Sequence, residues 1–210
     1  MGGLFDKSLS EILRESASSA PTPGGGSVSA IAAAFAASMA AMVGNLTIGK
    51  KKYRDVEEQV TALRDRALGL MSTFENLVEE DISQFGKFME AYRLPKNTPE
   101  EKEKREAVLQ QALKGATETP LKVARACVEL LETVCELAPI GNTMAISDAG
   151  VAAYLAEAGL RAVLLNVDIN IPMIKDQDFV GQAIKEKEGL VEQACQLREK
   201  TVAIVSERIN

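Results

Sequence analysis

Pro21-Thr22-Pro23-Gly24-Gly25-Gly26-Ser27-Val28-Ser29 opens a run that is almost wholly Ala, Ser, Gly and Met as far as Gly44. Two prolines bar a helix before Gly24 and three glycines permit positive φ, so an abrupt handover to a helix spanning about Ser27 to Gly49 is expected. Such a junction leaves backbone N–H groups unpaired and pointing outward, ready for a carboxylate, a phosphate or an electron-rich carbonyl. The small side chains behind it admit another backbone or a flat ligand at close range. Gly24, Gly25, Gly26 and Ser27 are therefore candidate ligand contacts. The plainer reading of the same residues is a flexible turn before a tightly packed alanine helix. That helix is apolar on nearly every side, so other helices or a second subunit must enclose it.

The flanking segments are helical too. Ser8 to Ser16 reads as an amphipathic helix with Leu9, Ile12 and Leu13 on one face and Ser8 as its cap before Glu11. After the alanine run, Lys50-Lys51-Lys52-Tyr53-Arg54 places positive charge at a helix C-terminus. A long helix is predicted from Asp55 to Tyr92, where Val56, Val60, Leu63, Ala67, Leu70, Phe74 and Leu77 recur with 4-3-4-3 spacing. Carried past Leu77, that spacing lands on Asp81 before resuming at Phe85, Phe88 and Tyr92. A carboxylate thus stands where an apolar residue is expected. It is either paired, protonated with a raised pKa, or facing a cavity that admits substrate.

Pro95 breaks this helix; Thr98, Pro99 and Glu101 supply the cap, first-turn proline and capping-box acid of the next. Pro120 is read as opening a further helix, with Val123, Cys127, Leu130, Val134 and Leu137 facing inward. Another helix is expected from about Asn142 to Val167, followed by a loop through Ile171. A last one runs from about Asp178 to Ile209, capped by Asp176 or Asp178. No internal repeat and no interdomain linker is visible. Residues 1–210 are therefore expected to form one all-α, single-domain helical bundle with one long helix.

Composition narrows the chemistry. Apolar residues make up 46% of the 210, enough for a sizeable core, while aromatics are only 4% and Trp is missing, as suits a helical protein. The net charge of −6, with no basic run interleaved with aromatics, argues against nucleic acid as a partner. Cys127, Cys135 and Cys195 lack CxxC spacing and read as buried thiols in a reducing cytoplasm. No signal peptide is recognised, and Asp6 occupies the position where a myristoylation motif needs Ser or Thr. Residues 28–43 are taken as too short and too Ser-interrupted for a membrane span. Histidine is wholly absent, which removes Ser-His and Cys-His dyads and the commonest zinc sites. Acid–base work must fall to Asp, Glu, Lys, Tyr or Cys.

Two further groups are candidates. Asp148 and Asn166, eighteen positions apart, share one helical azimuth with Ala152, Leu155, Gly159 and Ala162 between them, a small-residue strip suited to a planar ligand or another helix. Glu157 and Arg161 point the other way as an i,i+4 pair. Asn142 and Asp148 also fit as capping residues. Lys50, Lys51 and Arg54, joined by Lys96, could hold the carboxylates of an acidic ligand, although lysines at helix ends are usually solvated.

Taken in order, PTPGGGSVSA at 21, MVGNLTIGKKKY at 42, the Asp81 segment, LPKNTPEE at 94, GN at 141, SDAGVAA at 147 and NVDIN at 166 resemble the formiminotransferase-cyclodeaminase C-terminal family. The resemblance runs from about Ser8 to the C-terminus. It implies an all-helical homodimer binding a tetrahydrofolate derivative in a cleft near the subunit interface. It also implies either methenyltetrahydrofolate cyclohydrolase or formiminotetrahydrofolate cyclodeaminase activity, with the first preferred. Asp81, and failing it Asp148, would be the catalytic carboxylate; Gly24 to Ser27, Lys50, Lys51, Arg54, Lys96, Asn142 and Asn166 would bind substrate. Neither reaction calls for a metal, a redox cofactor or a histidine. The chain shows no formiminotransferase domain ahead of this region, which leaves substrate channelling without a built-in partner. The rival from another class is a non-catalytic folate-binding protein or helical adaptor, in which the alanine helix is a dimer seam and Asp81 an interface ion pair.

Overall fold

A computed structural model describes residues 3–209. Six α-helices account for most of them: α1 (Leu9–Ser16), α2 (Gly25–Thr47), α3 (Glu57–Arg93), α4 (Pro99–Leu137), α5 (Ile146–Asn170) and α6 (Gln177–Ile209). Short 3-10 turns occupy Leu4–Asp6, Lys51–Val56, Thr143–Ala145 and Ile171–Met173, and no strand occurs among the described residues. The expected all-α bundle is what forms.

The caps at α1 and α4 follow the sequence reading. Ser8 and Thr98 each accept from the backbone N–H three residues on, and Glu11 and Glu101 reach back in reciprocal capping boxes. Asp176 caps α6 through the Phe179 N–H at 3.1 Å. Burial on α1 is narrower than expected: Ile12 is buried, but Leu9 and Leu13 are exposed.

α2 is the hub of the bundle. It runs antiparallel to α3, with Gly26 against Asp81 and Gly44 against Arg64, and antiparallel to α5, where Gly159 lies against Ser29 and Ala33. A Cβ on Gly159 would stand 3.1 Å from the Ser29 carbonyl oxygen, so the two backbones approach through small residues. The α2 helix begins at Gly25, two residues before the expected start, because Gly24 is extended and serves as N-cap. The triple glycine uses no positive φ; among the described residues only Gly49, just beyond α2, has one. α2 and the segment Thr143–Met173 are both long and apolar enough, by length and composition, to cross a bilayer, which corrects the reading of residues 28–43 as too short. In this fold 67% of the apolar window of α2 is buried among the other helices.

The Val60-to-Leu77 stripe of α3 is buried throughout. α3 and α4 lie antiparallel, with Arg66 bonding Glu129 and Glu132 near one end and Lys122 bonding Glu80 towards the other. Pro120 does not open a helix: α4 continues through it for 39 residues. α6 covers α4 and α5. Glu157 is only 9% exposed and accepts from Arg161 and from Arg198 of α6, each at 2.9 Å, so it is an interhelical anchor and not a surface i,i+4 pair. Burial alone would raise its pKa, but the two guanidinium partners hold it below the usual glutamate range. Cys127 and Cys135 are buried, and burial pushes the Cys127 thiol well up; Cys195, expected to be buried, is partly exposed.

Candidate active site

Asp81 stands where α3 leaves the core. The residues before it on the stripe are buried, whereas Phe85 and Phe88 are half-exposed and Tyr92 is exposed, so the apolar face opens there onto a cavity of about 280 Å³. α3 contributes Asp81, Gln84, Phe85 and Phe88 to its wall. α5 contributes Asn166, Ile169 and Asn170, and α4 contributes Ala116.

Behind the carboxylate lies the start of α2. Ser27 Oγ donates to Asp81 Oδ2 at 2.8 Å, and the Ser27 backbone N–H donates to the same carboxylate. A Cβ on Gly26 would sit 2.7 Å from Asp81 Cγ and closer still to Oδ1, so glycine is what lets the carboxylate reach the helix terminus. One of the outward-pointing N–H groups inferred from the glycine run, that of Ser27, is thus engaged by a side chain of the protein itself. Burial pushes the Asp81 carboxyl above the ordinary aspartate range; the Ser27 hydroxyl and N–H favour the ionised form and offset this only in part. The result is a carboxylate that is fixed, partly desolvated and more basic than usual, as a general base requires.

The opposite wall depends on Pro120. Having no N–H, it leaves the carbonyl of Ala116 without its helical donor, and Asn170 Nδ2 donates to that oxygen at 3.0 Å. Asn166 Nδ2 donates to the Val163 carbonyl within α5 at 3.2 Å, which leaves its amide oxygen free to accept from a ligand. Asn170, Gln84 and Ala116 were not among the sequence candidates. The available signal was Pro120, whose orphaned carbonyl demanded a donor.

The remaining candidates fall elsewhere. Asn142 is structural: it caps the Thr143–Ala145 turn through the Met144 N–H and donates to the Leu46 carbonyl at 2.7 Å. Asp148 lies eighteen residues from Asn166 on α5, about 27 Å away along the axis, so one site cannot contain both. Lys50, Lys51 and Arg54 do come together, lining an 870 Å³ depression with Glu57, Glu58 and Asp65. Lys96 does not join them, because the 37 residues of α3 separate it from them by about 55 Å. Gly24 and Gly25 stand at the α2 start without lining the Asp81 cavity. No cluster of three or more metal-ligating side chains occurs among the described residues.

The helical bundle that carries this acid is similar over most of its length to known proteins of one family. The formiminotransferase-cyclodeaminase family model matches residues 8–189, and the chain belongs to that family. Over 194 residues, 92% of this chain and 93% of the other, it is 45% identical to the methenyltetrahydrofolate cyclohydrolase of Methylorubrum extorquens. It is 35% identical over 191 residues to the formimidoyltransferase-cyclodeaminase of Mus musculus, matching only 35% of that longer protein. The crystal structure of formiminotetrahydrofolate cyclodeaminase from Thermotoga maritima superposes with a TM-score of 0.87 at 30% identity, covering 97% of this chain and 98% of that one.

Proposed function

We propose that the protein is an enzyme of folate one-carbon chemistry that hydrolyses 5,10-methenyltetrahydrofolate to 10-formyltetrahydrofolate. The observation that carries this reading is Asp81, fixed at the α2 terminus by Ser27 with its pKa raised by burial, on the wall of a cavity flanked by Phe85 and Phe88. The one-carbon bridge of the substrate is an amidinium cation. A neighbouring carboxylate attracts it, takes one proton from the attacking water as the C–O bond forms, and returns that proton to N5 as the C–N5 bond breaks, while the new hydroxyl loses its own proton to solvent and becomes the formyl oxygen. Phe85 and Phe88 offer flat faces to the substrate rings, and Asn166 offers an amide. Water is the only co-reactant, and no metal or redox cofactor enters the scheme.

The likeness to the Thermotoga maritima cyclodeaminase over nearly the whole of both chains favours a second activity. There N10 attacks the formimino carbon and ammonia leaves, with Asp81 relaying the proton. Loss of the near-ultraviolet band of methenyltetrahydrofolate, measured beside ammonia release from formiminotetrahydrofolate, tests both. Acceleration of neither by folded protein would leave the folate-binding or adaptor reading.

The active unit in this reading is a homodimer. Val28, Ala32, Phe35, Met39, Met42 and Leu46 form an apolar 4-3-4-3-4 stripe on the outer side of α2, with Phe35 49% exposed. Val151, Tyr154, Leu165 and Ile169 of α5 extend it. A two-fold axis at Ala37 pairs Val28 with the partner's Leu46 and Phe35 with the partner's Met39, covering the stripe with itself. It also brings the partner's Lys50 and the partner's Lys51 towards the start of α2. Three unpaired cysteines agree with a cytoplasmic setting, and neither membrane nor nucleic acid takes part.

A further inference from the structure

α4 carries a glycine where a helix gains nothing from one. Gly115 lies well inside the 39 residues of α4 and has no positive φ, so alanine would suit the backbone better. The three atoms nearest to a Cβ built on Gly115 all belong to the Gln84 side chain of α3, with Oε1 at 2.7 Å and Cδ at 3.2 Å. The missing methyl makes room for that amide. Among the described residues the Gln84 side chain has no hydrogen-bond partner.

Gln84 follows Asp81 by three residues, so the two side chains leave α3 on one face, about 5–6 Å apart at Cβ, and Gln84 leans back over the turn that carries the acid. Both line the 280 Å³ cavity. Gln84 also lines a groove of about 660 Å³ between α3 and α4, and is the wall that the two spaces share.

We infer that Gln84 holds the attacking water beside Asp81 and thereby favours hydrolysis over cyclodeamination. The inference deepens the folate reading above and rests on it. A flat substrate lying on Phe85 and Phe88 occupies the cavity, so its water has to come from the side, and the groove meets the cavity at Gln84. A carboxylate alone fixes a water by one hydrogen bond and leaves it free to turn. An amide about 5 Å from that carboxylate accepts the second O–H, a span that one water bridges with two bonds of about 2.8 Å, and the oxygen lone pair is then held towards the one-carbon bridge. Gln84 stays neutral throughout. Asp81 takes one proton and returns it to N5, and the proton of the new hydroxyl passes to solvent along the groove. In cyclodeamination the nucleophile is the substrate's own N10, which needs no water oriented, so the amide acts on one reaction and not on the other.

The test sets kcat and KM for methenyltetrahydrofolate hydrolysis beside ammonia release from formiminotetrahydrofolate and Tm. Gln84→Ala should lower the hydrolytic kcat about 10- to 100-fold, with KM and any ammonia release within about twofold of wild type. Gly115→Ala should lower the same kcat without lowering Tm, because its methyl displaces only the end of a flexible side chain, and should add nothing to Gln84→Ala in the double variant. Hydrolysis unchanged in either single variant, additive losses in the double variant, equal loss of both reactions, or a wild type that releases ammonia without hydrolysing would overturn the role. Failure of the folate reading shows separately, as a wild type that turns over neither compound. The water is then read without turnover, in a crystal structure at a resolution that shows solvent. Wild type should hold one water bonded to both the Asp81 carboxylate and the Gln84 amide, and Gln84→Ala should lose it. No bridging water in wild type, or the same water kept in Gln84→Ala, removes the inference.

Discussion

Asn170 Nδ2 donates to the Ala116 carbonyl at 3.0 Å, across the gap between α5 and α4, because Pro120 has no N–H to offer that oxygen. A helix defect in one element is thereby the docking point for another, and both residues line the Asp81 cavity.

Removing the donor should loosen that wall. Asn170→Ala is expected to cost about 1 kcal/mol of stability, the usual worth of such a bond, and to raise KM more than it lowers kcat. Pro120→Ala restores a helical donor for Ala116. The double variant should therefore be more stable than the sum of the single changes implies, as a thermal or denaturant double-mutant cycle can measure.

Asp81→Asn keeps shape and can still accept from Ser27, but it cannot exchange a proton. Its kcat is expected to fall about 10²- to 10⁴-fold with KM little changed. The wild-type rate should rise with pH through the raised Asp81 pKa, and the residual rate of the variant should lack that inflection. The folded state holds this proton more tightly than the unfolded chain does, so the ionised carboxylate costs stability above the raised pKa, and the cost vanishes as pH falls through it. Asp81→Asn should accordingly melt higher than wild type at pH 8, with the gap closing on acidification. A lower Tm with near-normal turnover would make Asp81 a structural residue.

The two helical glycines at the start of α2 should part company. Nothing lies within 4 Å of a Cβ built on Gly25, whereas one on Gly26 meets Asp81. Gly26→Ala is expected to displace the carboxylate and lower kcat by at least tenfold. Gly25→Val should leave folding intact, and an accompanying loss of folate affinity would show that ligand approaches there.

Charge in the proposed seam should dissociate it. Phe35→Glu/Met39→Glu places like charges opposite one another about a two-fold axis at Ala37 and should give monomers by sedimentation. A wild-type chain that is already monomeric at micromolar concentration would remove the seam.

Periodicity made the buried half of the fold legible. The spacing from Val60 to Leu77 located the α3 core face and the break at Asp81, and the cap residues placed the starts of α1 and α4. Pro120 misled because its local preference is to end a helix, while burial of Thr117, Thr119, Leu121 and Ala124 around it held α4 together. Lys96 was grouped with Lys50, Lys51 and Arg54 for lack of a scale: Arg54 and Lys96 are forty-two residues apart, but nearly all of those residues form one rigid rod.

The contact between Gly26 and Asp81 ties two sequence positions fifty-five residues apart into one decision. While 81 carries an acid turned towards the α2 terminus, 26 has no room for even a methyl group. Once the acid is gone, alanine at 26 becomes the better helix former. Positions 26 and 81 should therefore co-vary among descendants of this chain, and a sequence that has lost both glycine and aspartate identifies a lineage that kept the bundle and gave up its chemistry.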